Sequence, residues 1–103
     1  MQEITVDELH QKMDNFVIID VREKSELVHG IIKGAVSIPL NEFINSASQL
    51  KQKYGNEDLV IYCRSGGRSA FATQLAEKKG MNARNLIGGV IAWSKIDPNV
   101  KAY

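Results

Sequence analysis

Cys63-Arg64-Ser65-Gly66-Gly67-Arg68-Ser69 is the stretch of this 103-residue chain whose residue types and spacing can do chemistry. It holds the only cysteine, and the apolar run Leu59-Val60-Ile61-Tyr62 leads directly into it. A helical pattern follows at once, with Phe71 and Leu75 four apart and Ala72 and Ala76 four apart. A thiol is therefore expected at the C-terminal end of a buried strand, facing the N-terminal end of a helix. In that setting a cysteine becomes an anionic nucleophile. Free cysteine titrates near ~8.5, which leaves only a few per cent as thiolate at neutral pH. A helix N-terminus stabilises a nearby anion by about 0.3–1 kcal/mol, and by up to ~2 kcal/mol when partly buried. One pKa unit is about 1.4 kcal/mol, so the helix alone lowers the thiol by roughly one unit. Arg64 and Arg68 add to this where they point inward.

Gly66 and Gly67 are both expected to take positive φ angles and curl successive N–H groups toward one point. Such a nest of amides cradles an anion, either the cysteine sulfur or the oxygens of a substrate. Ser69 falls where the helix is expected to begin, as its cap or as a donor to the sulfur. Singly, each feature has a plainer meaning. A lone cysteine ending a strand is usually a small buried hydrophobe. A Gly-Gly pair is usually a turn, and two arginines are usually a solvated surface. The order strand, cysteine, glycines, arginine, helix is what favours a site.

These residues resemble the active-site loop of rhodanese-like sulfurtransferases, and other segments fall in that family's order. Val17-Ile18-Ile19-Asp20-Val21-Arg22-Glu23 is similar to its strand ending in an Asp-Val-Arg-Glu turn. Gly30 to Pro39, with Gly34-Ala35 and Ile38-Pro39, resembles its Gly-His-Ile-x-Gly-Ala-x-x-Ile-Pro stretch. Leu86-Ile87-Gly88-Gly89-Val90-Ile91-Ala92-Trp93 resembles its closing Gly-Gly-x-x-x-Trp signature. The resemblance spans Ile4 to Trp93. It gives the loop length a meaning: Cys63 to Arg68 is Cys-x4-Arg, whereas related phosphatases and arsenate reductases have Cys-x5-Arg. A shorter ring of amides suits one extra sulfur atom better than a tetrahedral phosphoryl group.

The resemblance implies a sulfurtransferase that moves a sulfane sulfur through a persulfide on Cys63. A donor such as thiosulfate supplies the sulfur, and cyanide, a thiol or a sulfur-acceptor protein takes it. Cys63 is then the nucleophile, and Arg64, Ser65, Gly66, Gly67, Arg68 and Ser69 form the substrate-binding loop. Asp20 and Arg22 have a supporting role beside it. Neither a metal nor a cofactor is called for. One departure stands out: the family's histidine position is Ile31, and His29, which precedes the glycine, takes over no role. That change puts local hydrogen bonding under the site in question. Competing readings are a non-catalytic or regulatory module on the same fold, a phosphatase or arsenate reductase, and a redox sensor. The presence of Cys63, Gly66 and Gly67 speaks against the first, loop length against the second, and the lack of a resolving cysteine against the third.

Composition sets the outer limits. The length suits one domain over residues 1–103, burying a little over ~60% of its unfolded surface. A net charge of +1 offers no broad basic field for nucleic acid or membrane. One cysteine excludes an intrachain disulfide and fits a reducing, cytoplasmic setting. Met1-Gln2-Glu3-Ile4 has neither the basic nor the apolar run of a signal peptide, and no apolar stretch is long enough for a membrane span.

The elements that must position the loop follow from the patterning. Strands are expected at Glu3–Ile4, Phe16–Ile19, Ala35–Ile38 (stopped by Pro39), Leu59–Tyr62 and Ala83–Ile87. Thr5 and Glu8 form a capping box for a helix with Val6, Leu9 and Met13 on one face, ended by Asp14-Asn15. Glu23 to Val28 reads as a short helix. Asn41 is expected to cap a helix carrying Phe43, Ala47 and Leu50, restarted at Ser46 and ended by Gly55. The helix after Arg68 runs to Gly80, with Lys78 and Lys79 in its last turn. Gly88-Gly89 turns into a short helix with Val90 and with Trp93 as a core plug. Residues 97–103 read as a frayed tail. Strands alternating with helices imply an α/β fold: a small, mostly parallel sheet of about five strands with helices on both faces. Sites in such sheets lie beyond the strands' C-terminal ends, where Cys63, Asp20 and Gly88-Gly89 all fall.

Overall fold

The computed structural model describes residues 1–102. The strands are β1 (Gln2–Ile4), β2 (Val17–Asp20), β3 (Val36–Ser37), β4 (Asp58–Tyr62) and β5 (Asn82–Leu86). The helices are α1 (Val6–Gln11), α2 (Leu40–Asn45), α3 (Ala47–Tyr54), α4 (Gly67–Lys78) and α5 (Gly89–Trp93), with 3₁₀ segments at Met13–Asn15 and Lys24–His29. The strands form one sheet in the order β1-β5-β4-β2-β3, and every pairing is parallel. Parallel strands require crossovers, and these place a layer of helices on each face.

The two faces explain the strand sequences. Ile19, Leu59 and Ile61 pack with Phe43, Leu50, Ala72 and Ala76 of α2, α3 and α4. Ile18, Val60, Tyr62 and Leu86 face the other way, toward Leu9, Val90 and Trp93 of α1 and α5. Successive residues point to opposite faces, so the stretches 17–19 and 59–62, covered on both sides, are apolar at every position. Trp93 is 1% exposed and donates its indole N–H to Asp97 at 2.9 Å, as a core plug should. The capping box of α1 is present: Thr5 Oγ1 accepts the Glu8 N–H at 3.1 Å, and Glu8 accepts the Thr5 N–H at 3.2 Å.

Several boundaries differ from the sequence expectations for local reasons. β3 is only two residues long, because Ala35 turns its N–H back to the Ile32 carbonyl. The Glu23–Val28 helix is a 3₁₀ segment, entered through Glu23, whose N–H donates to Glu26. Pro39, not Asn41, is the residue before α2; its fixed φ prepares the first turn and its missing N–H is no loss there. Ser46 does divide α2 from α3. The tail is not frayed where it is described. Val100 is 3% exposed in the layer that holds Trp93, and the Lys101 N–H donates to the His29 carbonyl at 3.0 Å. An apolar side chain with a free slot in the core outweighs the polar composition around it. Tyr103, the end of that expected tail, lies outside the described residues. Among the described residues, no helix is long and apolar enough to cross a membrane.

Candidate active site

Parallel register brings the ends of β2, β4 and β5 to one edge: Asp20 is level with Tyr62, and Ile61 with Asn85. Cys63 follows Tyr62 at that edge and is 1% exposed, while Arg64 and Ser65 beside it are exposed. The chain turns at Gly66, whose φ of +122° no residue with a Cβ adopts without strain. That turn aims the Gly66 N–H at the sulfur, 3.1 Å from Cys63 Sγ. Ser69 Oγ lies 3.3 Å from the same sulfur.

Two expectations about this loop are corrected. Gly67 does not need a positive φ; it is the first residue of α4 and has open space where a Cβ would stand. Ser69 is not the cap but the third residue of α4, with Gly66 in the cap position. Starting the helix earlier places Ser69 under the sulfur, buried, rather than at the rim. The two glycines should therefore separate on mutation. Gly66→Ala is expected to lower stability by about 1–3 kcal/mol and to impair Cys63 reactivity. Gly67→Ala should leave both near the parent, as urea unfolding and thiol alkylation rates would report.

Burial pushes the Cys63 thiol up. The Ser69 hydroxyl and the N–H groups of Ser69, Gly66 and Ser65 outweigh that effect and hold the group below its ordinary value. A thiolate in this position is hydrogen-bonded by groups that are already in place.

The loop is gripped from behind by the Gly88-Gly89 turn. The Val90 N–H donates to the Cys63 carbonyl at 2.9 Å, and the Ile91 N–H donates to the Arg64 carbonyl at 3.1 Å. A Cβ on Gly89 would stand 2.5 Å from the Cys63 carbonyl oxygen, so only glycine lets the two backbones meet.

The arginines divide. Arg64 is exposed. Arg68 is held by Glu26 in a two-pronged ion pair, Nη1 to Oε2 at 2.7 Å and Nη2 to Oε1 at 2.9 Å. The guanidinium holds the Glu26 carboxyl down to about 2. Arg68 thus ties α4 to the Lys24–His29 segment and is no longer a bare positive charge over the sulfur.

Asp20 and Arg22 sit beside the loop, both fully buried. Asp20 Oδ1 accepts the Arg22 backbone N–H at 2.9 Å, and Asp20 Oδ2 accepts Arg22 Nη2 at 2.7 Å. Arg22 Nη2 also donates to the Gly30 carbonyl at 2.8 Å, and its guanidinium lies 5.7 Å from the centre of the Tyr62 ring. Tyr62 Oη accepts the Ile32 N–H at 3.1 Å. The backbone flanking Ile31 is thereby pinned on both sides, so isoleucine at the histidine position leaves these hydrogen bonds made.

Glu26 and Asn85 belong to the site and were not anticipated. Asn85 is 5% exposed and accepts from Ser69 Oγ at 2.6 Å. An amide in a strand that should be buried is a usable signal, since a buried polar side chain demands a partner. Glu26 offers no such signal, being one acid among several on a surface segment.

A family model described as "Rhodanese-like domain" matches residues 5–96. The chain is 31% identical to a sulfurtransferase of Allochromatium vinosum, over 92% of this chain and 90% of that one. It is 37% identical to the human thiosulfate:glutathione sulfurtransferase, over 74% of this chain and 76% of that one. Other curated relatives are longer; the chain spans 38% of one and 50% of another. A rhodanese-related protein of Thermoplasma volcanium superposes with a TM-score of 0.86 at 26% identity, covering 93% of each chain.

Proposed function

Because the chain belongs to the rhodanese-like domain family, we propose that it is a sulfurtransferase carrying a sulfane sulfur as a persulfide on Cys63. The observation that carries this reading is the setting of the Cys63 sulfur, buried at a strand end with the Gly66 N–H and the Ser69 hydroxyl on it. The names of the sulfurtransferase relatives support the class, and that of the human relative supports thiosulfate as donor and a thiol as acceptor.

The Cys63 thiolate attacks the outer sulfur of thiosulfate. A new S–S bond forms, the donor's S–S bond breaks, and sulfite leaves with its electron pair. The persulfide's terminal sulfur carries the negative charge, facing the amides of residues 64–69. Exposed Arg64 draws in the anionic donor, while Arg68 braces the loop through Glu26. Cyanide or a thiolate, free or on an acceptor protein, then attacks the terminal sulfur and restores the Cys63 thiolate. Splitting one transfer into two steps is covalent catalysis, and a preformed thiolate needs no general base. A single cysteine fits a reducing compartment such as the cytoplasm, where thiols discharge the persulfide.

The test is to incubate the protein with thiosulfate, measure its intact mass and map the adduct. One added sulfur atom on the peptide containing Cys63 is expected, removed by cyanide with release of thiocyanate. No adduct from thiosulfate or from a persulfide donor, or release of phosphate from an aryl phosphate, would overturn the reading.

A further inference from the structure

Ser69 has one hydroxyl proton and three acceptors in reach. Asn85 Oδ1 lies at 2.6 Å, the Gly66 carbonyl at 3.2 Å and Cys63 Sγ at 3.3 Å. The Asn85 amide is oriented by its other end, where Nδ2 donates to the Gly66 carbonyl at 3.3 Å, leaving the oxygen toward Ser69. Asn85 is 5% exposed and Ser69 is 0% exposed, so neither exchanges a lost partner for bulk water. Asn85 stands on β5, outside the loop and helix that carry the nucleophile.

We propose that Asn85 is a positioning residue that sets the balance between thiol and thiolate at Cys63 by competing for the Ser69 hydroxyl proton. In the thiol state Cys63 donates S–H to Ser69 Oγ, and Ser69 donates to Asn85 Oδ1. When the thiol loses its proton to solvent, the Ser69 O–H rotates to the sulfur anion, and the buried Asn85 oxygen loses its donor. No bond other than S–H breaks. Asn85 thus favours the thiol and restrains a thiolate that the loop amides favour. Once a persulfide forms, Sγ is a neutral bridging sulfur and the hydroxyl returns to Asn85. This last consequence rests on the sulfur-transfer reading; the proton competition does not.

The charged groups around the sulfur are Arg64 and Arg68 on its own loop and helix, Glu26 paired with Arg68, and the Asp20–Arg22 pair at the end of β2. From β4 the neighbour is Tyr62, whose phenol is pushed up by burial and by Asp20. From β5 it is Asn85, and from α5 it is backbone amide. Substituting Asn85 alters none of the charged groups.

The experiment follows the rate of Cys63 alkylation by iodoacetamide against pH, a readout of thiolate that needs no sulfur donor. Asn85→Leu is expected to lower the midpoint by about one pH unit, because the Ser69 proton becomes free for the sulfur. Ser69→Ala should raise it, and adding Asn85→Leu to Ser69→Ala should change nothing more. A side chain that merely held the loop in shape would act with the opposite sign: its loss would slacken the Gly66 turn and raise the midpoint. A rise or no change in Asn85→Leu, or an undiminished shift in the Ser69→Ala background, overturns the inference. Asn85→Val, which suits a strand, is made alongside in case leucine does not fit, with the same sign expected. Thiosulfate loading is measured on the same samples. Failure to load with the expected midpoint shifts would sink the sulfur-transfer reading and leave the proton competition standing.

Discussion

Arg22→Ala is expected to lower folding stability by about 3–5 kcal/mol, the range for breaking a buried ion pair from one side. Asp20 and Arg22 are both fully buried, and the guanidinium meets the Asp20 carboxylate, the Gly30 carbonyl and the Tyr62 ring among its contacts. Removing it leaves a carboxylate in the interior without a counter-charge and a carbonyl without its donor. Domains of this size hold only about 5–15 kcal/mol in total, so the loss takes a large share of the stability and should move the unfolding midpoint well below that of the parent. Urea unfolding of parent and variant measures the loss. The paired replacement Asp20→Leu with Arg22→Met should recover part of it, since no lone charge remains. A loss below about 1 kcal/mol in Arg22→Ala would mean that water reaches the pair, against the burial reported for both side chains.

Much of this architecture is written in local patterns. Apolar runs rich in β-branched residues, such as Val17-Ile18-Ile19 and Leu59-Val60-Ile61, announce strands covered on both faces, because only such strands can be apolar at every position. Thr5 and Glu8 announce a helix start through a hydrogen-bond pair that closes within one turn. The Cys63 loop is equally local: cysteine, glycines and helix are contiguous, and the turn's positive φ falls at Gly66, one of the two glycines offered for it. What the sequence leaves open is closed over long separations. Arg68 meets Glu26 forty-two residues away and so braces α4 against the Lys24–His29 segment. Ser69 meets Asn85 because β4 and β5 are neighbours in the sheet, a pairing that no short window encodes. Val100 is drawn into the core by a slot that α1, α5 and the 29–32 stretch create together. The shift of the α4 start by two residues is a smaller effect of the same kind. The grip of Val90 and Ile91 on the Cys63 and Arg64 carbonyls fixes where the strand must end, and the helix begins as soon as Gly66 has turned.

Cys63→Ser is expected to abolish sulfur transfer, with turnover to cyanide falling by about 10³-fold or more. Folding stability should move by less than about 1 kcal/mol, since serine is nearly isosteric and the Gly66 N–H and Ser69 hydroxyl that lie on the sulfur can satisfy its hydroxyl. The size of the effect follows from the charge state. The parent sulfur is held below its ordinary pKa by the Ser69 hydroxyl and three backbone N–H groups, which outweigh its burial. The same four donors cannot make a serine hydroxyl ionise near neutral pH, because their stabilisation is worth only a few pKa units. The pH dependence carries the same signature. Sulfur loading of the parent should rise about tenfold per pH unit while the thiol is mostly protonated, then level off once the thiolate is fully formed. The levelling should come below the pH at which an unperturbed cysteine titrates, because a lowered pKa moves the thiolate population toward acid. Loading that kept rising to the pH of a free thiol would show that the loop leaves the sulfur unperturbed. A Cys63→Ser variant that still loaded sulfur would move the chemistry off this strand end altogether, and with it the meaning of the amides that face it.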